Sequence, residues 1–122
     1  MSITRRAPLG AAAAIVALGA AGPATAAPVA KVVPVKITDF AFGGKQNLKL
    51  SLKVGDVLRF TWAGQQAHDV DLRRAPNGVK KVHAALAVRR APLVVKLTKA
   101  GTYRFVCTPH EMLGMTATVT VR

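Results

Sequence analysis

A single cysteine, Cys107, stands among 122 residues. It excludes an intrachain disulfide framework and any zinc site built on paired Cys-x-x-Cys motifs. Acidic residues are almost as scarce: five Asp plus Glu face 18 Lys plus Arg, a formal net charge of +13. Aromatics number six, so the core must be mainly aliphatic. The length leaves no room for two full-sized domains. A hydrophobic fraction of 51% excludes global disorder even at this charge.

The first stretch reads as an address. Arg5 and Arg6 form a positive head, Leu9 to Ala21 an Ala-rich apolar run, and Gly22-Pro23 a breaker before Ala24-Thr25-Ala26. That is the layout of a signal peptide with a small-x-small cleavage site. Residues 1–26 are expected to be removed, leaving residues 27–122 as the domain. An uncleaved membrane anchor is the alternative, disfavoured because the run is short for a bilayer span. The absence of a nearby cysteine argues against a lipoprotein. Thr4-Arg5-Arg6 followed by Leu9 resembles a twin-arginine export signal, although ordinary signals often carry two arginines. The expected location is therefore periplasmic or extracellular. An exported domain this small without a disulfide invites a search for a metal.

Beyond residue 30 the apolar pattern alternates with period two, which is a strand signal. Leu48, Leu50 and Leu52 share one face; so do Leu58, Phe60 and Trp62, with Val54-Gly55-Asp56 read as the turn between these two strands. Further strands are expected at Ala67–Leu72, Leu93–Thr98, Thr102–Cys107 and Met115–Val121. Another is expected at Val32–Phe40, where Pro34 marks an edge or bulge. Arg73 to Gly78 is loop-like, and the pattern over Lys80–Arg90 does not decide between helix and irregular chain. The expected class is all-β: a Greek-key β-sandwich or barrel of about seven to eight strands.

Strand parity also points four soft ligands toward one end of this sandwich. Cys107 closes one strand facing inward, Met115 opens the next facing inward, His110 lies in the loop between, and His68 begins an earlier strand on its buried face. Structural zinc sites rarely use Met, and calcium and magnesium want oxygen. Two imidazoles, a thiolate and a thioether suit copper, as a trigonal His₂Cys set with a weak axial Met. Alone, Cys107 would be a small buried hydrophobe and His68 a core histidine; it is their convergence that argues for a metal. A Cys107–His110 nucleophile–base pair is disfavoured, because no third group orients the base and nothing supplies an oxyanion site. His83 has no partner at useful spacing and is expected at the surface.

The segment Gly101-Thr102-Tyr103-Arg104-Phe105-Val106-Cys107-Thr108-Pro109-His110, then Gly114-Met115, resembles the cupredoxins, especially their plastocyanin and pseudoazurin branches. Ala67-His68-Asp69-Val70 resembles their first ligand strand. The resemblance implies one copper per chain, with His68, Cys107 and His110 as equatorial ligands and Met115 as the axial one. Met112 competes for that last role but lies close after His110. Asp69 stands where the family usually has Asn, so it brings a negative charge while still able to accept backbone N–H bonds from the Cys107 loop. Pro109 has no N–H to offer the thiolate. Glu111 beside His110 is expected to favour the more positive, oxidised copper.

The implied function is one-electron transfer by an exported blue copper protein, with His110 presenting its ring edge to partners. Copper delivery or buffering without electron transfer is the alternative, and a metal-free binding module a third. No substrate pocket is evident, so an enzyme is not expected. Arg73, Arg74, Lys80, Lys81, Arg89 and Arg90 concentrate positive charge in one insertion, which suits an acidic redox protein or an anionic membrane surface. Nucleic acid is disfavoured by export and by the shortage of surface aromatics. The protein is expected to be a monomer.

Overall fold

A computed structural model describes residues 29–122; the expected signal peptide lies outside them. Nine strands are present among the described residues: β1 (Val32–Thr38), β2 (Ala41–Phe42), β3 (Leu48–Leu52), β4 (Val57–Trp62), β5 (His68–Arg74), β6 (His83–Ala87), β7 (Leu93–Lys96), β8 (Gly101–Val106) and β9 (Thr116–Val121). A short 3-10 helix, Thr108–Leu113, joins β8 to β9. The strands form two sheets, ordered β2-β1-β4-β7 and β3-β9-β8-β5-β6. The fold is the expected two-sheet sandwich, with the two-residue β2 and the β6 strand as additions to the expected set. β6 settles the ambiguous insertion: His83–Ala87 pairs antiparallel with β5.

Alternation produces the core directly, because side chains two apart share a face. Leu58, Phe60 and Trp62 of β4 are buried opposite exposed Arg59 and Thr61. Tyr103, Phe105 and Cys107 meet them from the other sheet. The Phe60 ring spans the layers, 5.1 Å from Phe105, and touches Phe42 edge-on at 5.9 Å. The buried Tyr103 hydroxyl donates to the Lys99 carbonyl at 2.7 Å, so its polar tip costs little.

One local expectation is corrected and another is refined. Val54-Gly55-Asp56 is the expected turn between β3 and β4, yet the two strands do not pair, because β3 pairs with β9 and β4 with β1 and β7. The segment instead carries the chain from one sheet to the other, and buried Asp56 holds it by accepting the N–H groups of Lys53 and Lys31. The first strand stops at Thr38 rather than Phe40. Asp39-Phe40 is a tight reversal into β2, with Phe40 at φ +65°. Pro34 is tolerated because β2 pairs only with Ile37 and Thr38, leaving β1 an open edge at Pro34 on that side.

Candidate metal centre

The hairpin of β8 and β9 builds half of the site. Its last paired residues are Val106 and Thr116, and the ladder continues with the Cys107 N–H donating to the Met115 carbonyl at 3.0 Å. Cys107 and Met115 are thereby cross-strand neighbours, both fully buried. Pro109 suits the first turn of the intervening 3-10 helix, where an N–H would lack a helical partner. Gly114 ends that helix at φ +87°, a left-handed cap that glycine adopts without a Cβ penalty. β5 runs antiparallel beside β8, pairing Asp71 with Val106, and so delivers His68 to the same end.

Three donor atoms converge there. His68 Nδ1 lies 3.2 Å from His110 Nδ1 and 3.7 Å from Cys107 Sγ, and His110 Nδ1 lies 3.4 Å from Cys107 Sγ. A cation about 2.0 Å from each nitrogen and about 2.3 Å from sulfur, in their plane, would space them about 3.5 Å (N to N) and about 3.7 Å (N to S). The observed triangle is thus the size of a metal's equatorial plane, and its N₂S chemistry fits copper. Among the described residues these three form the one grouping of His, Cys, Asp and Glu close enough to hold a metal ion. Met115 is fully buried and Met112 fully exposed, so of the two thioethers it is Met115 that lies on the inner side. His68 is fully buried, while His110 lies partly open in a helix with no buried residue.

Burial pushes the Cys107 thiol up to about 11; the Asp69 backbone N–H opposes that rise and the Asp69 charge adds to it. At neutral pH a metal must therefore displace the thiol proton. Asp69 is buried and accepts the Thr108 N–H at 2.6 Å, the contact expected of it. The Glu111 carboxylate reaches Arg73 at 3.2 Å and Arg104 at 3.8 Å, so two cations offset its charge. Arg73 also bonds Asp71, and His83, exposed as expected, lies 3.5 Å from the same carboxylate. The basic insertion is thus partly engaged: Arg73 in these pairs, Arg90 over the Trp62 ring, and Arg89 on the Gly64 carbonyl.

Sequence reasoning missed two residues at the site. Asp39 Oδ1 lies 2.9 Å from His68 Nε2. The Phe40 ring meets the His110 ring edge-on at 4.9 Å and the His68 ring at 6.4 Å. No local signal marked either, because both were read as the end of a strand.

A β-sandwich carrying a His₂Cys triangle at one end, two of its members buried, defines a mononuclear copper-site protein of the cupredoxin class. Residues 29–122 match the copper binding proteins of the plastocyanin/azurin family, and the chain belongs to that family. It is 34% identical over 94 residues to a pseudoazurin from Methylorubrum extorquens, covering 73% of this chain and 61% of that protein. A plastocyanin from Prochlorothrix hollandica is 34% identical over 76 residues, 59% of this chain and 58% of the relative. The chain thus spans about three fifths of the length of these two relatives. The crystal structure of pseudoazurin from Methylobacterium extorquens AM1 superposes with a TM-score of 0.61 at 34% identity, covering 74% of each chain. An amicyanin structure shares the fold with a TM-score of 0.57 at 23% identity, covering 74% of this chain and 81% of that one.

Proposed function

We propose that this protein is an exported one-electron carrier rather than an enzyme. In this reading His68, Cys107 and His110 hold a single copper equatorially and Met115 is its weak axial ligand. The observation that carries the reading is the triangle of His68 Nδ1, Cys107 Sγ and His110 Nδ1, with one imidazole sealed inside and the other partly open. Copper bound there would supply the chemistry by alternating between Cu(II) and Cu(I), one electron in from a reduced partner and one out to an oxidised one. The chain's own part is to hold the donors still. His68 opens β5, Cys107 immediately follows β8, Met115 immediately precedes β9, and a capped 3-10 helix carries His110.

His110 is the contact point in this reading. Fully exposed Met112 and half-exposed Leu113 follow it in the same helix and offer an apolar surface beside its ring. Arg74, Lys80 and Lys81, which form no ion pair among the described residues, supply the positive field for an acidic redox protein, or for an anionic membrane surface. Residues 1–26 serve as the signal peptide, and residues 27–122 act as a monomeric domain in the periplasm or outside the cell.

The test is the visible spectrum and voltammetry of residues 27–122 loaded with one equivalent of Cu(II). An intense blue charge-transfer band, absent in Cys107→Ser, with reversible cycling, is the expected outcome. Copper held without reversible cycling would make the protein a copper carrier or buffer. Absence of binding would overturn the reading. His110→Gly is expected to open the metal to added imidazole. Raising salt from 10 to 500 mM is expected to slow electron transfer to an acidic partner, and salt-independent rates would remove the steering field.

A further inference from the structure

We infer that Asp39 is a positioning residue of the metal centre: its carboxylate fixes the tautomer and orientation of His68 and weights the site toward the more positive, oxidised metal. The inference rests on the copper reading above and deepens it.

His68 has two ring nitrogens with different surroundings. Nδ1 faces His110 and Cys107, while Nε2 faces Asp39 Oδ1 at 2.9 Å. A carboxylate can only accept there, so Nε2 carries the proton and Nδ1 keeps its lone pair for a metal. The backbone is pinned as well, because Trp62 Nε1 donates to the His68 carbonyl at 2.9 Å. Ring and main chain are thus held by separate partners.

Asp39 is itself fastened in place. Oδ1 also accepts the N–H groups of Gln65 at 3.0 Å and Gln66 at 2.9 Å. The space between Asp39 and His68 exists because residue 64 is glycine: a Cβ there would lie 2.5 Å from Asp39 Oδ1 and 3.1 Å from His68 Nε2. Phe40, the next residue, sits in the left-handed region at φ +65°, unusual for a bulky side chain, and its ring packs against His110. The Asp39-Phe40 turn therefore touches both imidazoles.

The charge of Asp39 is also uncompensated. Glu111 and Asp71 have arginine partners, whereas among the described residues no Lys or Arg pairs with Asp39. One imidazole away from the metal position, that negative charge stabilises a 2+ ion more than a 1+ ion. A purely structural role, capping the Gln65 and Gln66 N–H groups, would need only an acceptor oxygen. Asn supplies one, so Asp39→Asn separates the two roles.

The experiment uses 15N-labelled protein and the same protein loaded with Cu(I) or Cu(II). In the wild type, NMR is expected to show a protected Nε2–H on His68, with and without Cu(I). In Asp39→Asn that proton is expected to exchange at least tenfold faster. The preference for Cu(II) over Cu(I) is expected to fall about tenfold, which is a rise of about 59 mV for a one-electron couple. Asp71→Asn, which removes a carboxylate already offset by Arg73, is expected to shift the potential less. A wild-type His68 protonated on Nδ1 would overturn the inference without any variant, even if Asp39→Asn fails to fold. So would a shift in Asp39→Asn no larger than that in Asp71→Asn. In both cases a retained blue band leaves the copper reading standing. Failure of the wild type to bind copper would overturn both together.

Discussion

The Thr108 N–H donates to Asp69 Oδ1 at 2.6 Å. This bond ties the residue after His68 to the residue after Cys107, so the two segments that carry these candidate donors are locked to each other as well as to the sheet. Asp69→Ala removes the acceptor and is expected to cost about 1–2 kcal/mol in urea unfolding of the metal-free protein. Asp69→Asn keeps an acceptor oxygen and is expected to lose less than half of that, while raising the copper potential. Equal losses in the two variants would mean that the bond itself contributes nothing.

Metal removal is expected to lower stability, because a ligand that binds only the folded chain adds RT ln(1 + [L]/Kd). With free copper at a hundred times its dissociation constant, the gain is about 2.7 kcal/mol. Thermal melts with and without a chelator measure it. In Cys107→Ser most of the difference is expected to disappear, since the triangle loses its sulfur.

Phe60→Ala is expected to be the most damaging simple truncation in the core. Its ring is fully buried and bridges Phe42 of one sheet to Phe105 of the other. Such truncations cost about 3–5 kcal/mol, comparable with the whole stability of a small domain. Denaturant titration is expected to show either a large drop in midpoint or an unfolded protein. Arg59→Ala on the exposed face of the same strand is expected to stay within about 0.5 kcal/mol.

Acid sensitivity is expected from Asp56. The Lys53 and Lys31 N–H groups hold its carboxyl below the usual range. A depressed folded-state pKa stabilises fully above the unfolded value near 4, and that stabilisation is lost as pH falls through the folded value. Wild type is therefore expected to exceed Asp56→Asn in urea midpoint at pH 7. The gap is expected to shrink between pH 5 and pH 2. A gap independent of pH would show that the charge plays no part.

Much of the architecture was legible because burial in a sandwich imposes period two on the sequence. The faces Leu58-Phe60-Trp62 and Tyr103-Phe105-Cys107 are buried as their alternation implies. The short Cys107 to Met115 segment was legible for the same reason, since two flanking strands and a tight loop leave little freedom. The Val54-Gly55-Asp56 turn was legible but the pairing of its flanking strands was not, because a turn signal does not say which sheet receives the chain. Asp39 and Phe40 were invisible because they lie 29 and 70 residues from the histidines they touch, His68 and His110.

Taken alone, the sequence determined the all-β class, the buried faces and the candidate donors His68, Cys107 and His110, since each follows from residue type and short-range periodicity. Tertiary structure decided where each carboxylate stands relative to those donors. Of the five acids, Glu111 is offset by Arg73 and Arg104, Asp69 accepts the Thr108 N–H beside Cys107, and Asp39 alone contacts an imidazole of the His68–Cys107–His110 triangle. Charge acts through space over a few ångströms, and only the packing of the two sheets sets those distances.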